Sequence, residues 1–499
     1  MFQLIVALGV MLTAAAAPAS AAPSERVAVI VVPASAPVLR SPGAAHGLLV
    51  VGAGATVSRR GALASLVRGE MGNAVTGGLP GGKQLIALSR RPAQTTFYVA
   101  LPPPGKHHNV HRYPIAVAGP GYRGVLTDTS TRLPGLISIA DVAPSARALR
   151  RGERPSIRAR PSGDPLAQLA RFDRRLQHAH DARVPATLVL VGLLIVLSLA
   201  ALLTRAPMLC RAAFLVPSTC IASAVALSAL AVSPRAAVLG VALLGGGGAL
   251  LGGALLPPRL PLALALTALF VFLFAVMWAR PEWNALAVIG PHPDGGGRFY
   301  GVTNQVETLL LPPALVLGAL AGVRLLPVVG LALAAGIAAS RIGADGGGLV
   351  VYLAGFLVLW LRLRHVPALR AVAATAVAAG AALLLVGIDA ATGGSSHVTK
   401  AVGGGPGSVF GDLGHRLHLS AASVSSTWNN ALLFALGIIG LVVLALQRPR
   451  TALLDAYLVA LAVSFLVNDT PTDVAGYGGF AALGLWLLTR SEETRGRLQ

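Results

Sequence analysis

Hydrophobic and polar positions divide this chain into two unlike stretches. Up to about residue 183 the apolar residues come in short runs: Val27–Val32 followed by Pro33, then Gly47–Val51, Gln84–Leu88, Thr96–Leu101 and Ile115–Ala118, with Gly and Pro turns between them. Short apolar runs bounded by turn residues predict strands. The arginine-bearing segments Arg59–Glu70 and Ala143–Arg150 predict helices, so residues 23–155 read as an α/β layer domain. Ser156–Asp164 has the composition of a Pro/Ser/Arg linker, and Pro165–His180 the pattern of a basic amphipathic helix on a membrane surface. Residues 156–183 are therefore read as a basic linker and juxtamembrane helix.

Beyond residue 184 the runs lengthen to membrane scale. They lie near 185–204, 209–232, 236–256, 259–279, 307–323, 325–340, 348–362, 367–387, 430–446, 451–467 and 476–489. A helix crossing the hydrocarbon core needs about 20 apolar residues, so residues 184–490 are expected to form about eleven transmembrane helices. The fold class expected is an α-helical polytopic membrane protein with an N-terminal extracytoplasmic α/β domain. Residues 1–22 fit a signal peptide: Leu4–Ala17 is apolar and Ala19-Ser20-Ala21 offers the small-x-small cleavage pattern. An uncleaved anchor, suggested by the lack of a basic n-region, would export the same domain.

Composition agrees with this division. Of 499 residues, 55% are hydrophobic and 12% charged, more apolar surface than a soluble chain can bury. The net charge of +21 raises nucleic acid as a partner. The basic residues, however, lie in one N-terminal block and in short loops between apolar runs, which serves topology, so membrane lipids are the expected partners and nucleic acid is not. With residues 23–183 outside, the inner loops hold Arg205 and Arg211, Arg259, Arg324, then Arg362, Arg364 and Arg370, and finally Arg448 and Arg450. Each is basic, as the positive-inside rule demands, and residues 491–499 become a cytoplasmic tail. Cys210 and Cys220 share one span, leaving neither a disulfide framework nor zinc spacing.

This topology puts four polar segments on the outer face. Pro281–Glu307 carries Asp294, the triplet Gly295-Gly296-Gly297, Arg298 and Asn304; Ser340–Gly348 carries Arg341, Asp345 and a second triplet. Asp389–Trp428 carries His397, Lys400, Asp412, His415, Arg416 and His418, and Asn468–Asp473 carries Asn468, Asp469 and Asp473. Glycines let a backbone re-enter the membrane or approach a ligand closely. Arg298 and Arg341 suit bidentate contact with phosphate or carboxylate oxygens. Asp294, Asp345, Asp469 and Asp473 suit a divalent ion, an acceptor or a base, while Asn304 and Asn468 suit substrate binding. The same residue types also make ordinary turns. His415 and His418 have helical pair spacing, but no third ligand is evident, so no metal is assigned and no cofactor is identified. Asp455 lies inside a span and is either an intramembrane carboxylate or a partner of Arg450.

Two resemblances follow from particular segments. Tyr113–Gly119 and Gly124–Ser145, ending Ser138-Ile139-Ala140-Asp141-Val142-Ala143-Pro144-Ser145, resemble the C-terminal part of alkaline phosphatase superfamily domains, where a return to the sheet precedes an Asp-x-Ala-Pro-Thr helix start. The resemblance implies that Asp141 and Pro144 open a helix. That superfamily places a metal-binding acid after its first strand and uses a Ser or Thr nucleophile, whereas here the strand ends Val32-Pro33-Ala34-Ser35. The resemblance thus implies a stripped, inactive relative. In the same domain Lys106, His107, His108, His111 and Arg112 form a basic cluster, open to an anion or simply to solvent.

In the helical part, Arg298-x-x-Gly301-x-x-Asn304, Ala339-Ser340-Arg341, a long basic outer loop, Asn429-Asn430 and Gly437-Ile438-Ile439-Gly440 are similar in order to O-antigen ligase and polymerase-type membrane proteins. Those proteins transfer glycans from a polyprenyl diphosphate at the outer face. The resemblance implies that Arg298 and Arg341 hold the diphosphate, that His415 or His418 is the general base, and that Arg416 stabilises charge. The expected partner is then a polyprenyl-diphosphate-linked glycan. A transporter, a flippase or a non-catalytic envelope scaffold is the competing expectation, because glycine-broken helix ends beside charged groups also line transport pathways.

Overall fold

The computed structural model describes residues 26–72, 79–256, 260–367, 424, 428–468 and 470–493. The expected signal peptide, the expected span at 367–387 and residues 494–499 of the expected tail lie outside the described residues, as do His397, Lys400, Asp412, His415, Arg416, His418 and Asp469.

The N-terminal part is an α/β domain built on a mixed seven-stranded sheet. Its strands are β1 (Val27–Val32), β2 (Ala45–Val50), β4 (Thr95–Ala100), β6 (Tyr113–Ala118), β7 (Gly124–Asp128), β8 (Leu136–Ser138) and β9 (Ile157–Arg160). They run in the order β1-β4-β6-β2-β7-β9, with β8 beside β2. β1 pairs parallel with β4, in register from Val27 opposite Thr95 to Val32 opposite Ala100; β6 runs antiparallel to both β4 and β2. A separate ribbon joins β3 (Thr56–Ser58) to β5 (Lys106–His108). Helices α1 (Arg59–Arg68) and α2 (Val142–Arg150) pack on the sheet over a core that includes Val29, Leu66, Phe97, Val117, Leu126 and Ile139. Burying each such large side chain contributes about 1.5–3 kcal/mol relative to exposure. Ser58 caps α1 by accepting from the Gly61 amide at 3.1 Å, and Gly69 ends it in a left-handed conformation.

Three local expectations change. Gln84–Leu88 joins no strand ladder; its backbone is tied instead by Leu85 N–H to Val67 O (2.8 Å), and Ser89 just beyond it by N–H to Val29 O (2.9 Å). The stretch expected as a linker contains β9, which pairs antiparallel with β7. The third change concerns the juxtamembrane helix. Pro165–His180 is the first part of α3 (Pro165–Thr204), a single 40-residue helix, about 60 Å long at 1.5 Å per residue. Leu169, Phe172, Leu176 and Ala179 recur at helical spacing and are buried. Phe172 and Leu176 pack against Val50, Leu133 and Leu136 of the α/β domain, which removes the apolar face that a membrane surface would have taken. Farther along, Ala186, Leu190 and Leu194 enter the core of the helical bundle. One element thus joins both parts, started by Asp164, which accepts from the Ala167 amide at 3.0 Å.

The rest is helical: α4 (Pro207–Ala229), α5 (Pro234–Leu255), α6 (Leu260–Ala279), α7 (Asn304–Leu320), α8 (Leu326–Ala338), α9 (Gly346–Arg364), α10 (Trp428–Leu446), α11 (Ala452–Val467) and α12 (Pro471–Glu493). Among the described residues α3, α4, α5, α6 and α9 are long and apolar enough to cross a membrane, and α8, α10 and α11 are shorter apolar helices. α4, α7, α9 and α12 supply much of the buried interior. The chain therefore has apolar helices of the kind that associate with membranes.

Helix ends sort into two groups. At the end away from the α/β domain, Asp455 in the first turn of α11 binds Arg450 Nε at 2.7 Å and Arg362 Nη2, from the last turn of α9, at 2.8 Å. Asp455 is therefore paired at a helix terminus. Arg211 near the start of α4 and Glu492 near the end of α12 approach to 4.0 Å at that end as well. The loops that precede α7, α9 and α12 lie at the other end, beneath the α/β domain.

Candidate functional site

Two glycines let the first two of these loops stack. Gly301 has φ of +89°, and a Cβ there would sit 2.1 Å from Gly343 O; a Cβ on Gly343 would sit 2.1 Å from Ile337 O. Only hydrogen atoms fit between these backbones. The stack is tied by Val302 N–H to Gly343 O (2.7 Å), Tyr300 O–H to Ser340 O (2.8 Å) and Gly301 N–H to Asn284 Oδ1 (2.9 Å).

The stacked loops then enter helices whose caps come from the same segments. Thr303 caps α7 through the Val306 amide (3.3 Å), and Asp345 caps α9 through the Gly348 amide (3.2 Å). Arg298 reaches across with Nη2 3.6 Å from Asp345 Oδ1 and also donates to Val302 O. The Asp345 side chain is 4% exposed and that of Arg298 32%, so the pair runs from the interior towards the surface.

Beneath Asp345 lies Glu307, in the first turn of α7 and 0% exposed. Asn468, just after α11, donates to Glu307 Oε2 at 3.0 Å and to Ser464 Oγ at 2.7 Å. Asn468 Oδ1 and Asp345 Oδ1 both lie over Gly347, where a Cβ would be 2.6 and 3.6 Å from them. Asn304 donates to Thr470 Oγ1 at 2.7 Å and links α7 to the start of α12. Several buried polar atoms here have no hydrogen-bond partner, among them Glu307 Oε1, Asp345 Oδ2, Tyr352 OH and Thr308 Oγ1. Buried polar groups are usually paired, and unpaired ones gathered in one place mark a site.

Of the sequence-chosen residues, the structure gathers Arg298, Asn304, Asp345 and Asn468 around this centre. Arg341 belongs to the stacked loop, but its side chain is exposed and its carbonyl is held by Arg132 of the α/β domain. Asp294 lies elsewhere. Its carboxylate binds Arg183 of α3 at 3.0 and 3.3 Å and His180 at 2.7 Å. Burial alone would raise its pKa, but the charge and hydrogen bonds of Arg183, with the bond from His180, hold it down at about 2. Asp294 thus clamps the glycine-triplet loop to the long helix. Asp473 occupies the first turn of α12. Glu307 was not singled out by the sequence, which showed it as the edge of a polar loop. Its signal is a lone acid at the head of the apolar run Thr308–Leu311.

The α/β domain roofs the same end of the bundle. Gly296, at φ +68°, approaches Gly52 so closely that a Cβ would lie 2.3 Å from Gly52 O. Gly295 O accepts from Gly54 N–H (3.1 Å) and Asn109 Nδ2 (3.2 Å). Arg132 donates to Arg341 O, and to Trp278 O at 3.4 Å, with its guanidinium 4.9 Å from the Tyr300 ring centroid. Arg175 of α3 binds Glu282 at 3.1 Å.

The two clusters in the α/β domain serve its own fold. Asp128 accepts from the Ser130 and Ser138 amides, each at 3.2 Å, and from Ser130 Oγ at 3.0 Å, while Ser130 also bonds Asp141. Burial and the neighbouring Asp141 push the Asp128 carboxyl up to about 8 despite those bonds. α2 begins where expected, at Val142 with Asp141 in the N-cap position and Pro144 in its first turn; it follows directly on a short 3-10 turn, and the Asp141 side chain makes no capping hydrogen bond. In the basic cluster, Lys106, His107 and His108 form β5, and Arg112 is taken by Asp173 of α3 at 2.7 Å. Among the described residues no three of His, Cys, Asp and Glu gather as a metal site. Compared with known proteins, the chain matches no family model, no curated sequence and no solved structure at a significant level.

Proposed function

We propose that this is a multi-pass membrane protein of the cell envelope that transfers a glycan or another lipid-linked group at the outer face of the membrane. In this reading the bundle crosses the bilayer about eleven times, the α/β domain is extracytoplasmic and the C-terminus is cytoplasmic. The arginines at the end opposite the α/β domain support that orientation, with Arg205, Arg324, Arg362, Arg364, Arg448 and Arg450 all placed at helix ends or short turns there.

One observation carries the reading. The Arg298–Asp345 pair, at 3.6 Å, lies between solvent and the wholly buried Glu307, at the end of the bundle roofed by the α/β domain. A transfer of this kind needs positive charge for a departing diphosphate and a base for an acceptor hydroxyl. Arg298 and the exposed Arg341 are suited to the first task, Asp345 to the second, and Asn304 and Asn468 to holding substrate. His415 or His418 and Arg416 keep the roles that the resemblance implies, and Asp469 keeps the place in catalysis that its residue type suggests. In the step itself the acceptor oxygen bonds to the sugar carbon as its proton passes to the base. The bond from that carbon to the diphosphate oxygen breaks, and the diphosphate leaves with its electron pair against the arginines. The partners are membrane lipids and a polyprenyl-diphosphate-linked glycan.

A transport reading draws on a different observation, the burial of Glu307 among α7, α9 and α11, where Tyr352 and Tyr457 are also enclosed. Intramembrane carboxylates of this kind mark ion and substrate pathways. Arg298→Ala and Arg341→Ala decide between the readings. Loss of lipid-linked glycan transfer, with normal insertion of both variants, supports the enzyme, whereas normal envelope glycan from both rejects it.

A further inference from the structure

Glu307 and Asp345 come from different elements, yet they converge on Asn468, which donates to Glu307 Oε2 at 3.0 Å while its Oδ1 lies with Asp345 Oδ1 over Gly347, and the two acids interact directly. Each keeps one oxygen without a donor, Glu307 Oε1 and Asp345 Oδ2, and each residue is at most 3% exposed. Two carboxylates close together in a dry interior repel unless one of them is neutralised or something positive lies between them. Tyr352 OH, fully buried and also unpartnered, stands within the field of both acids.

We propose that Glu307 and Asp345 together bind one exchangeable proton, held as a carboxyl–carboxylate hydrogen bond, with Tyr352 as the adjoining hydroxyl and Arg298 at its outlet. The proposal rests on membrane insertion of the bundle, stated above, and not on the substrate class. A proton suits the site better than a metal ion. A divalent ion needs about six oxygen ligands, and the unpartnered buried oxygens here are Glu307 Oε1, Asp345 Oδ2, Tyr352 OH and Thr308 Oγ1.

The charged and titratable groups around the pair are few. The loop before α7 supplies Arg298, α9 supplies Tyr352 and α11 supplies Tyr457. Asn468 is neutral. α6 and α8 contain no titratable residue, Arg211 of α4 approaches Glu492 at the far end, and Cys220 of α4 faces Gly245 of α5. On α12, Asp473 acts on Tyr477. Arg298, the partly exposed member, marks the side of the α/β domain as the one on which the pair lies nearest to solvent.

The test is infrared difference spectroscopy of the full-length protein in liposomes, stepped between about pH 5 and about pH 9. An Asp128→Asn background removes the carboxyl of the α/β domain that titrates within this range. A protonated-carboxyl band is expected that shifts in D2O, is indifferent to sodium or potassium at fixed ionic strength, and disappears in both Glu307→Gln and Asp345→Asn. Tyr352→Phe, a milder change, is expected to move the band without removing it. A band unchanged in both acid variants overturns the proposal, and so does one that sodium displaces in the parent protein. The deuterium and sodium responses need no variant of the pair, so the proposal stays open to refutation even if those variants do not fold. Failure of the glycan-transfer assay with the band intact would count against the transfer reading alone.

Discussion

Asn468 donates its side-chain amide to Glu307 Oε2 at 3.0 Å, joining the end of α11 to the first turn of α7. Glu307 is sealed from solvent, so this bond has no water to replace it. Asn468→Ala should lower stability by roughly 1–3 kcal/mol, the cost of leaving a buried polar group unsatisfied. Thermal unfolding of the detergent-solubilised protein measures it, and an unchanged midpoint would mean that the bond contributes nothing.

The clamp at the glycine triplet makes a stronger prediction. Removing one member of a buried ion pair costs about 3–5 kcal/mol, because the other charge is left without its partner. Asp294→Ala strands Arg183 in the interior and should be destabilising on that scale, whereas Arg183→Met together with Asp294→Leu should recover much of the loss. A double variant no better than the single one would contradict this account of the clamp.

Backbone contact between the stacked loops is tested at Gly301. Alanine there meets an unfavourable φ and the Gly343 carbonyl together, and strain alone costs roughly 1–3 kcal/mol. Gly301→Ala should therefore unfasten the loops, read as faster hydrogen exchange at Val302 and Asp345, whose amides bond across or beside the stack.

Arg132 ties the roof to the loops. Losing a hydrogen bond from a charged group costs about 1.5 kcal/mol or more, roughly tenfold in a local opening equilibrium. Arg132→Ala should raise exchange around residues 340–345 by that factor while sparing the sheet. Arg132→Lys keeps the charge without the planar fork, and only partial recovery is expected.

Asp128 predicts a pH dependence with a definite sign. Its carboxyl titrates at about 8 in the folded protein against an ordinary value of 3.8, so the folded state keeps a proton that the unfolded chain releases. Stability of the α/β domain is then fully present below the ordinary value and falls as pH rises towards 8. Melting of the sheet in the full-length protein should shift downward over that window, and Asp128→Asn should flatten the dependence. A parent protein insensitive to pH there would contradict it.

The helices were legible because apolar runs at membrane length leave few alternatives. The strands Val27–Val32 and Thr95–Ala100 were legible because β-branched and aromatic residues lie between turn signals. Gln84–Leu88 was misleading, since an apolar pentad says nothing about whether an edge is free to receive it. Ser156–Asp164 hid an edge strand, which needs fewer apolar residues than a central one. In α3, the amphipathic pattern of Pro165–His180 showed that one face is buried but not against what, and the domain surface took the place assigned to lipid headgroups. At the candidate site the sequence offered residue types in separate loops. The pairing of Arg298 with Asp345 and the placement of Glu307 depend on Gly301 meeting Gly343, a tertiary contact that no local pattern encodes.

Sidedness is what the functional proposal depends on most, and cysteine accessibility measures it directly. In a Cys210→Ser, Cys220→Ser background, Arg341→Cys and Arg448→Cys place single thiols at exposed positions near opposite ends of the bundle. In intact cells a membrane-impermeant maleimide should label the thiol at 341 at once and the thiol at 448 only after permeabilisation. Labelling in the reverse order, or equal labelling of both, would contradict the account.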